Sequence, residues 1–209
     1  MSEWISGNRY LSQSEMENNA LLFRDYFHAR GWSDEAIAGM LGNIQTESTV
    51  NPGIWENLTV NYSRGYGLVQ WTPATNYIDW AGGDYESGTR QCERIIYEFD
   101  SGIQYYPTSS YPMSAAEFKT STESPAYLAY VWLYNYERPG NLDQPNRATQ
   151  AENWYTYITG HEPGPGPGPG PGPGPGPGPG PGPGPGPGPG PTGKLPIWML
   201  YKFSKWRGL

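Results

Sequence analysis

One cysteine, two histidines and few basic residues set the first limits on this chain of 209 residues. Cys92 alone excludes an intrachain disulfide and any multi-cysteine metal site. With no histidine partner near it in sequence, Cys92 reads as a small hydrophobe rather than a nucleophile. His28 and His161 stand far apart and no HExxH or comparable ligand spacing occurs, so neither metal nor other cofactor is expected. Of the 13 bases, Lys194, Lys202, Lys205 and Arg207 lie near the C-terminus, where no acid does. The first 162 residues therefore hold 9 bases against 20 acids, a formal charge of −11. That balance argues against nucleic acid as a partner, although a local cleft can differ from the whole. The start, Met1-Ser2-Glu3-Trp4-Ile5-Ser6, has neither the basic residues nor the apolar run of a signal peptide. A role outside the producing cell would need another exit, such as lysis.

What the chain has in excess is aromatic residues and a Pro-Gly run. Nine Trp and 17 Tyr suit either an aromatic core or the stacking faces of a sugar site. Residues 163–191 alternate strictly between Pro and Gly and cannot pack a core. Three segments follow: a domain over 1–162, of ordinary size for one core, a linker over 163–191 and a tail over 192–209. The 14 Pro-Gly units of the linker would span roughly 30 Å as a soft coil and about 87 Å as a polyproline rod. The tail combines Trp198, Tyr201 and Trp206 with Lys202, Lys205 and Arg207. It is too short to cross a bilayer at roughly 20 residues. It reads as an interfacial membrane anchor, as a peptide docking on another protein, or as an unstructured end.

Within 1–162 the signals are mostly helical. Ser12-Gln13-Ser14-Glu15 fits a capping box, and Met16, Ala20, Phe23 and Phe27 recur at helical spacing up to Gly31, predicting a helix over about 13–30. Ser33 caps a second helix with the apolar stripe Ile37, Met40, Leu41, Ile44. Thr72-Pro73, Ser87, Ser114 with Glu117, and Ser124-Pro125 open four more, and a last helix is expected over about 144–158. Between the second and third, Leu58-Thr59-Val60-Asn61-Tyr62 alternates weakly like a strand, and Ser63-Arg64-Gly65 reads as a hairpin turn. The expected class is α+β, predominantly α, with about seven helices and a small β ribbon.

Glu47 is the residue that suggests chemistry. It lies seven after Met40 and three after Ile44, on the apolar stripe of the second helix. A carboxyl on an apolar face is partly desolvated, which favours its protonated form, and a protonated carboxyl can donate to a departing glycosidic oxygen. Spacing alone leaves open that Glu47 simply ends the helix in solvent. In Tyr66-Gly67-Leu68-Val69-Gln70-Trp71 the glycine lets backbone approach a ligand, and Gln70 offers both donor and acceptor.

In order along the chain, Gly42-Asn43-Ile44-Gln45-Thr46-Glu47-Ser48, Asn51-Pro52-Gly53, Gly67-Leu68-Val69-Gln70-Trp71-Thr72-Pro73, Tyr136-Glu137-Arg138-Pro139 and Gln150-Ala151-Glu152-Asn153-Trp154-Tyr155 closely resemble the phage tail lysozymes. The Glu-Ser pair and the Gly-Leu-x-Gln turn also resemble goose-type lysozymes and lytic transglycosylases. The resemblance covers about 10–160. It implies a lysozyme-like fold and Glu47 as catalytic acid. It also implies peptidoglycan as partner, cut at the β-1,4 bond between N-acetylmuramic acid and N-acetylglucosamine, in a virion tail or outside the cell. Some members carry a metallopeptidase domain where this chain has its Pro-Gly run, so no endopeptidase activity is carried over. Glu56, Asp79, Asp84 and Glu137 are candidates for a second catalytic group, with Glu137 preferred for its place in the Tyr-Glu-Arg-Pro motif. An ion pair of Glu137 with Arg138 or Arg147 is the rival reading. Ser48, Tyr66, Gln70, Trp71 and Tyr134 are the expected substrate contacts, each with a packing alternative. The tail would meet other tail proteins or the host membrane. Competing roles are a non-catalytic tail-tip module and a secreted lysin.

Overall fold

The computed structural model describes residues 3–162, so the linker and the basic aromatic tail lie outside the described residues. Seven α-helices occur among these residues: α1 (Gln13–His28), α2 (Asp34–Ser48), α3 (Thr75–Ala81), α4 (Gly88–Asp100), α5 (Ala115–Lys119), α6 (Pro125–Trp132) and α7 (Asn146–Thr159). Most begin where the sequence signals placed them. Glu15 reaches back to the backbone N–H of Ser12 at 2.9 Å. The Ser33, Ser87 and Ser124 hydroxyls accept from backbone N–H groups three residues on. Ser114 and Glu117 close a reciprocal capping box. Each cap satisfies helix-end donors that would otherwise have no intrahelical partner.

α2 runs through the centre. Ile37, Met40, Leu41 and Ile44 are fully buried, worth roughly 1.5–3 kcal/mol of apolar burial each. Two glycines let other helices close on it. A Cβ at Gly39 would stand 2.9 Å from Leu128 of α6, and one at Gly42 would stand 2.4 Å from the carbonyl oxygen of Arg147 in α7. The aromatic excess fills the core beside it: Phe27 meets Trp32 at 4.8 Å, Trp32 meets Phe99 at 5.1 Å, and Trp132 stacks on Tyr136 at 4.1 Å. Cys92 is fully buried and its thiol is pushed well above its ordinary value by that burial.

The expected ribbon shrinks to two isolated antiparallel bridges, Trp55 to Tyr66 and Tyr66 to Trp71. Residues 58–62 are not a strand. Asn57 and Leu58 take positive φ (54° and 55°), and a 3₁₀ turn at Glu56–Leu58 replaces the extended run. Ser63-Arg64-Gly65 does lie in the loop that brings Glu56 N–H to the Gly65 carbonyl at 2.9 Å. α6 passes directly into a π-helical turn over Leu133–Glu137, closed by Arg138 N–H on the Leu133 carbonyl at 2.8 Å.

Candidate active site

Glu47 sits in the last turn of α2, just before Thr49 and Val50 take left-handed conformations that stop the helix. Three consecutive residues of this turn are each held by α7. Gln45 accepts from the Trp154 indole at 2.9 Å, Thr46 donates to Gln150 at 2.7 Å, and Glu47 accepts from the Arg147 guanidinium at 2.6 Å. Residues 147, 150 and 154 are spaced three and four apart, one face of a helix. Arg147 is itself fixed. Its Nε donates to Gln144 at 2.7 Å, and its Nη1 donates to the carbonyl and side-chain oxygens of Asn43 at 3.3 and 3.1 Å. The Asn43 amide in turn donates to Gly39 and Ala129 carbonyls, both at 3.0 Å.

The side chain of Arg147 is 3% exposed and that of Glu47 19%. The carboxyl is partly desolvated, as its spacing suggested, but its neighbour is a buried cation rather than apolar surface alone. A guanidinium favours the charged form of a carboxyl, the opposite of what an apolar pocket does. Arg147 thus pairs with Glu47, which removes one of the two partners that the rival reading offered Glu137, while Arg138, the other, does feel the charge of Glu137.

The remaining expected contacts divide by burial. The Ser48 hydroxyl, 1% exposed, donates to the carbonyls of Ile44 at 3.0 Å and Leu68 at 2.9 Å, tying the end of α2 to the Gly67-Leu68 turn. Tyr66 is buried against Trp55, Tyr77 and Tyr85, and burial raises its hydroxyl above its ordinary range. Gln70, at φ 51° and 5% exposed, donates to the Ile54 and Gly67 carbonyls. Tyr134 is half-buried against Tyr111 at 4.7 Å. Glu137 is 2% exposed and accepts from the Trp132 indole at 3.0 Å. Of the other carboxylates considered, Glu56 accepts from Gly65 N–H at 2.9 Å inside the loop, and Asp79 and Asp84 are exposed.

Trp71 leads to a feature that sequence reasoning missed. A cleft of about 480 Å³ is walled by Trp71, Tyr106 and Tyr136, with Asn76, Arg94 and Glu98 among its polar groups. Glu47 is not in its lining. Glu98, 3% exposed, accepts from the Trp71 indole at 3.0 and 3.2 Å, from Arg94 Nε at 2.9 Å and from the Tyr136 hydroxyl. The only sequence signal for this was the i, i+4 spacing of Arg94 and Glu98 in α4, which most often marks a surface pair.

The sequence matches the phage tail lysozyme family over residues 18–158. It is 49% identical over 161 residues to "Morphogenesis protein 1" of Bacillus phage B103, an alignment covering 75% of this chain and 44% of that protein. The chain thus spans under half the length of that relative. The match begins within α1 and ends within α7, and so takes in the turn of α2 that carries Glu47 together with the helix that grips it. With more than half its length inside that match, the chain belongs to the phage tail lysozyme family.

Proposed function

We propose that this phage-associated, lysozyme-like protein cuts the β-1,4 bond between N-acetylmuramic acid and N-acetylglucosamine in peptidoglycan, with Glu47 as general acid. Glu47 acts in its protonated form, in which the ionic part of its bond to Arg147 is absent, and passes its proton to the glycosidic oxygen as the C1–O bond breaks and positive charge develops on the muramic ring. Arg147 then stabilises the carboxylate left behind. The observation that carries the reading is this pair: a partly exposed carboxyl on the central helix, oriented by a buried arginine 100 positions later.

The cation on C1 is next taken by water or by the sugar's own 6-hydroxyl, which leaves an anhydro ring. Glu137, expected as the second carboxylate, is 2% exposed and accepts from Trp132. Glu98 already receives donors on both oxygens. These placements favour the course that needs one carboxylate, in which Glu47 recovers its proton from the 6-hydroxyl. Glu47→Gln is expected to abolish release of soluble muropeptides from wall suspensions, and lysis at near the unmodified rate would refute the assignment. Mass spectrometry of the products separates the two courses: anhydro ends mark transglycosylation and reducing ends mark hydrolysis.

A further inference from the structure

Arg94 is a largely buried arginine that keeps most of its donors free of protein acceptors. It is 8% exposed, and its Nε donates to Glu98 at 2.9 Å. Its two terminal nitrogens, Nη1 and Nη2, donate to no protein acceptor among the described residues, and the side chain lines the cleft. These nitrogens keep contact with solvent in the cleft, where they are open to an acceptor on a ligand. The indole of Trp80 at 5.3 Å and the ring of Tyr97 at 5.4 Å flank the guanidinium and supply no acceptor oxygen.

The geometry points to a carboxylate-recognising site in this cleft. With Nε occupied by Glu98, the Nη1–Nη2 edge remains as a fork that matches a second carboxylate in bidentate fashion. The negative charge of Glu98 does not close the site to an anion. It is matched by Arg94 and hydrogen-bonded by Trp71 and Tyr136. Around the fork, Tyr106 offers a ring that is 43% exposed. The Asn76 and Gln104 amides spend their N–H groups on backbone carbonyls at 3.3 and 2.7 Å and keep side-chain oxygens for ligand N–H or O–H. The volume lies within the range of about 300–1,000 Å³ typical of small-molecule sites. The ligand is therefore a compact unit with a carboxylate at one end and a stacking or amide-bearing body.

Identifying the source of that carboxylate rests on the peptidoglycan reading above. Two sources share the chemistry: the lactyl carboxylate of an unsubstituted muramic acid, and the free C-terminus of a wall peptide. The test is NMR or calorimetric titration of the full chain with N-acetylmuramic acid, N-acetylglucosamine, N-acetyl-alanyl-alanine and N-acetyl-alanyl-alanine amide. We expect at least one carboxylate probe to bind at least fivefold tighter than its neutral counterpart. Preference for the muramic acid assigns the sugar source, and preference for the dipeptide assigns the peptide source. Arg94→Lys should weaken that binding about tenfold. Asn76→Ala and Tyr106→Ala alter exposed side chains that the core does not need, and should weaken it about threefold. Glu47→Gln should leave it unchanged. Equal binding of carboxylate and neutral probes, or unchanged affinity in all three cleft variants, would overturn the proposal. So would loss of binding in Glu47→Gln, which would merge the cleft with the acid's own site. Because the readout is binding, it stands apart from turnover: an inactive Glu47→Gln with no carboxylate preference sinks this inference alone.

Discussion

Glu47→Gln carries a second consequence beyond lost activity, and it runs against the usual trend. Removing a catalytic group commonly stabilises a protein, because active sites hold unfavourable arrangements. Here the substitution strips the charge from the partner of a guanidinium that is only 3% exposed. Glutamine can still accept from Arg147, so the 2.6 Å contact survives as a hydrogen bond while its ionic component is lost. Hydrogen bonds to charged groups contribute about 1.5–3 kcal/mol against about 1 for neutral ones, so the loss is at most roughly 0.5–2 kcal/mol. At about 2–4 °C per kcal/mol for a domain of this size, Tm should fall by roughly 1–8 °C. Thermal melts at pH 7, followed by far-ultraviolet circular dichroism, measure this directly. The Arg147→Met and Glu47→Gln/Arg147→Met variants complete a double-mutant cycle, in which the double variant should be scarcely less stable than Arg147→Met alone. A Tm for Glu47→Gln equal to or above the parent would refute the account of Arg147 as a buried charge that depends on Glu47.

Two further perturbations test the frame around the site. Gly42→Ala should destabilise by at least about 2 kcal/mol despite a gain of about 1 kcal/mol in helix propensity, since its Cβ would stand 2.4 Å from the Arg147 carbonyl and 2.8 Å from the Ala151 nitrogen; chemical denaturation measures it, and unchanged stability would contradict the close crossing. The bond from Arg9 and the N–H of Ser12 hold the Glu15 carboxyl down to about 2, from an ordinary 4.5. A lowered acid contributes stability that is present above about 4.5 and fades as pH falls towards 2. Glu15→Gln should therefore show a lower urea midpoint than the parent at pH 6, with the gap closing by pH 2, and added salt should narrow it because both groups lie near solvent.

The local physics of the fold was legible in the sequence, and its long-range pairing was not. Ser33, Ser87, Ser114 and Ser124 announce helix starts because a cap acts within three residues. Apolar spacing likewise placed Glu47 on α2. Arg147, which orients it, stands 100 residues away; its place on the stripe of Ala151, Trp154 and Ile158 turns it inward, but nothing local to α7 names Glu47 as its partner. The strand expected at 58–62 failed for a local reason of another kind: weak alternation says nothing about the positive φ values at Asn57 and Leu58. Ser48, Tyr66 and Gln70 were singled out by their motifs, and the structure places all three in the interior, where their polar atoms are spent on backbone groups or packed away from solvent. Motif residues of this sort shape the turn beside the acid. The residues with unspent polar groups, Arg94, Asn76 and Gln104, belong to no motif.

The end of the domain follows from a third buried arginine. Arg24 in α1 is 3% exposed, and its terminal nitrogens donate to the carbonyls of Ile158 at 2.7 Å, His161 at 2.8 Å and Glu162 at 3.1 Å. Ile158 lies in the last turn of α7 and His161 and Glu162 just beyond it, so Arg24 of α1 ties down the C-terminal end of the helix that holds Glu47. A chain ending at 162 keeps all three acceptors, while one ending at 157 loses them together with the fully buried Ile158. Asp25, which accepts from Arg24 Nε at 2.6 Å, would be the only remaining partner of that guanidinium. Losing three charge-assisted bonds at about 1.5–3 kcal/mol each removes roughly 4.5–9 kcal/mol, comparable to the whole stability of a domain at the lower end of the usual range of about 5–15 kcal/mol. The shorter chain should unfold at or near room temperature, while the chain ending at 162 should melt within about 2 °C of the full chain. Equal melting of the two truncations would show that α7 is held by α2 and α6 without α1, and that Arg24 contributes nothing to keeping Arg147 against the acid.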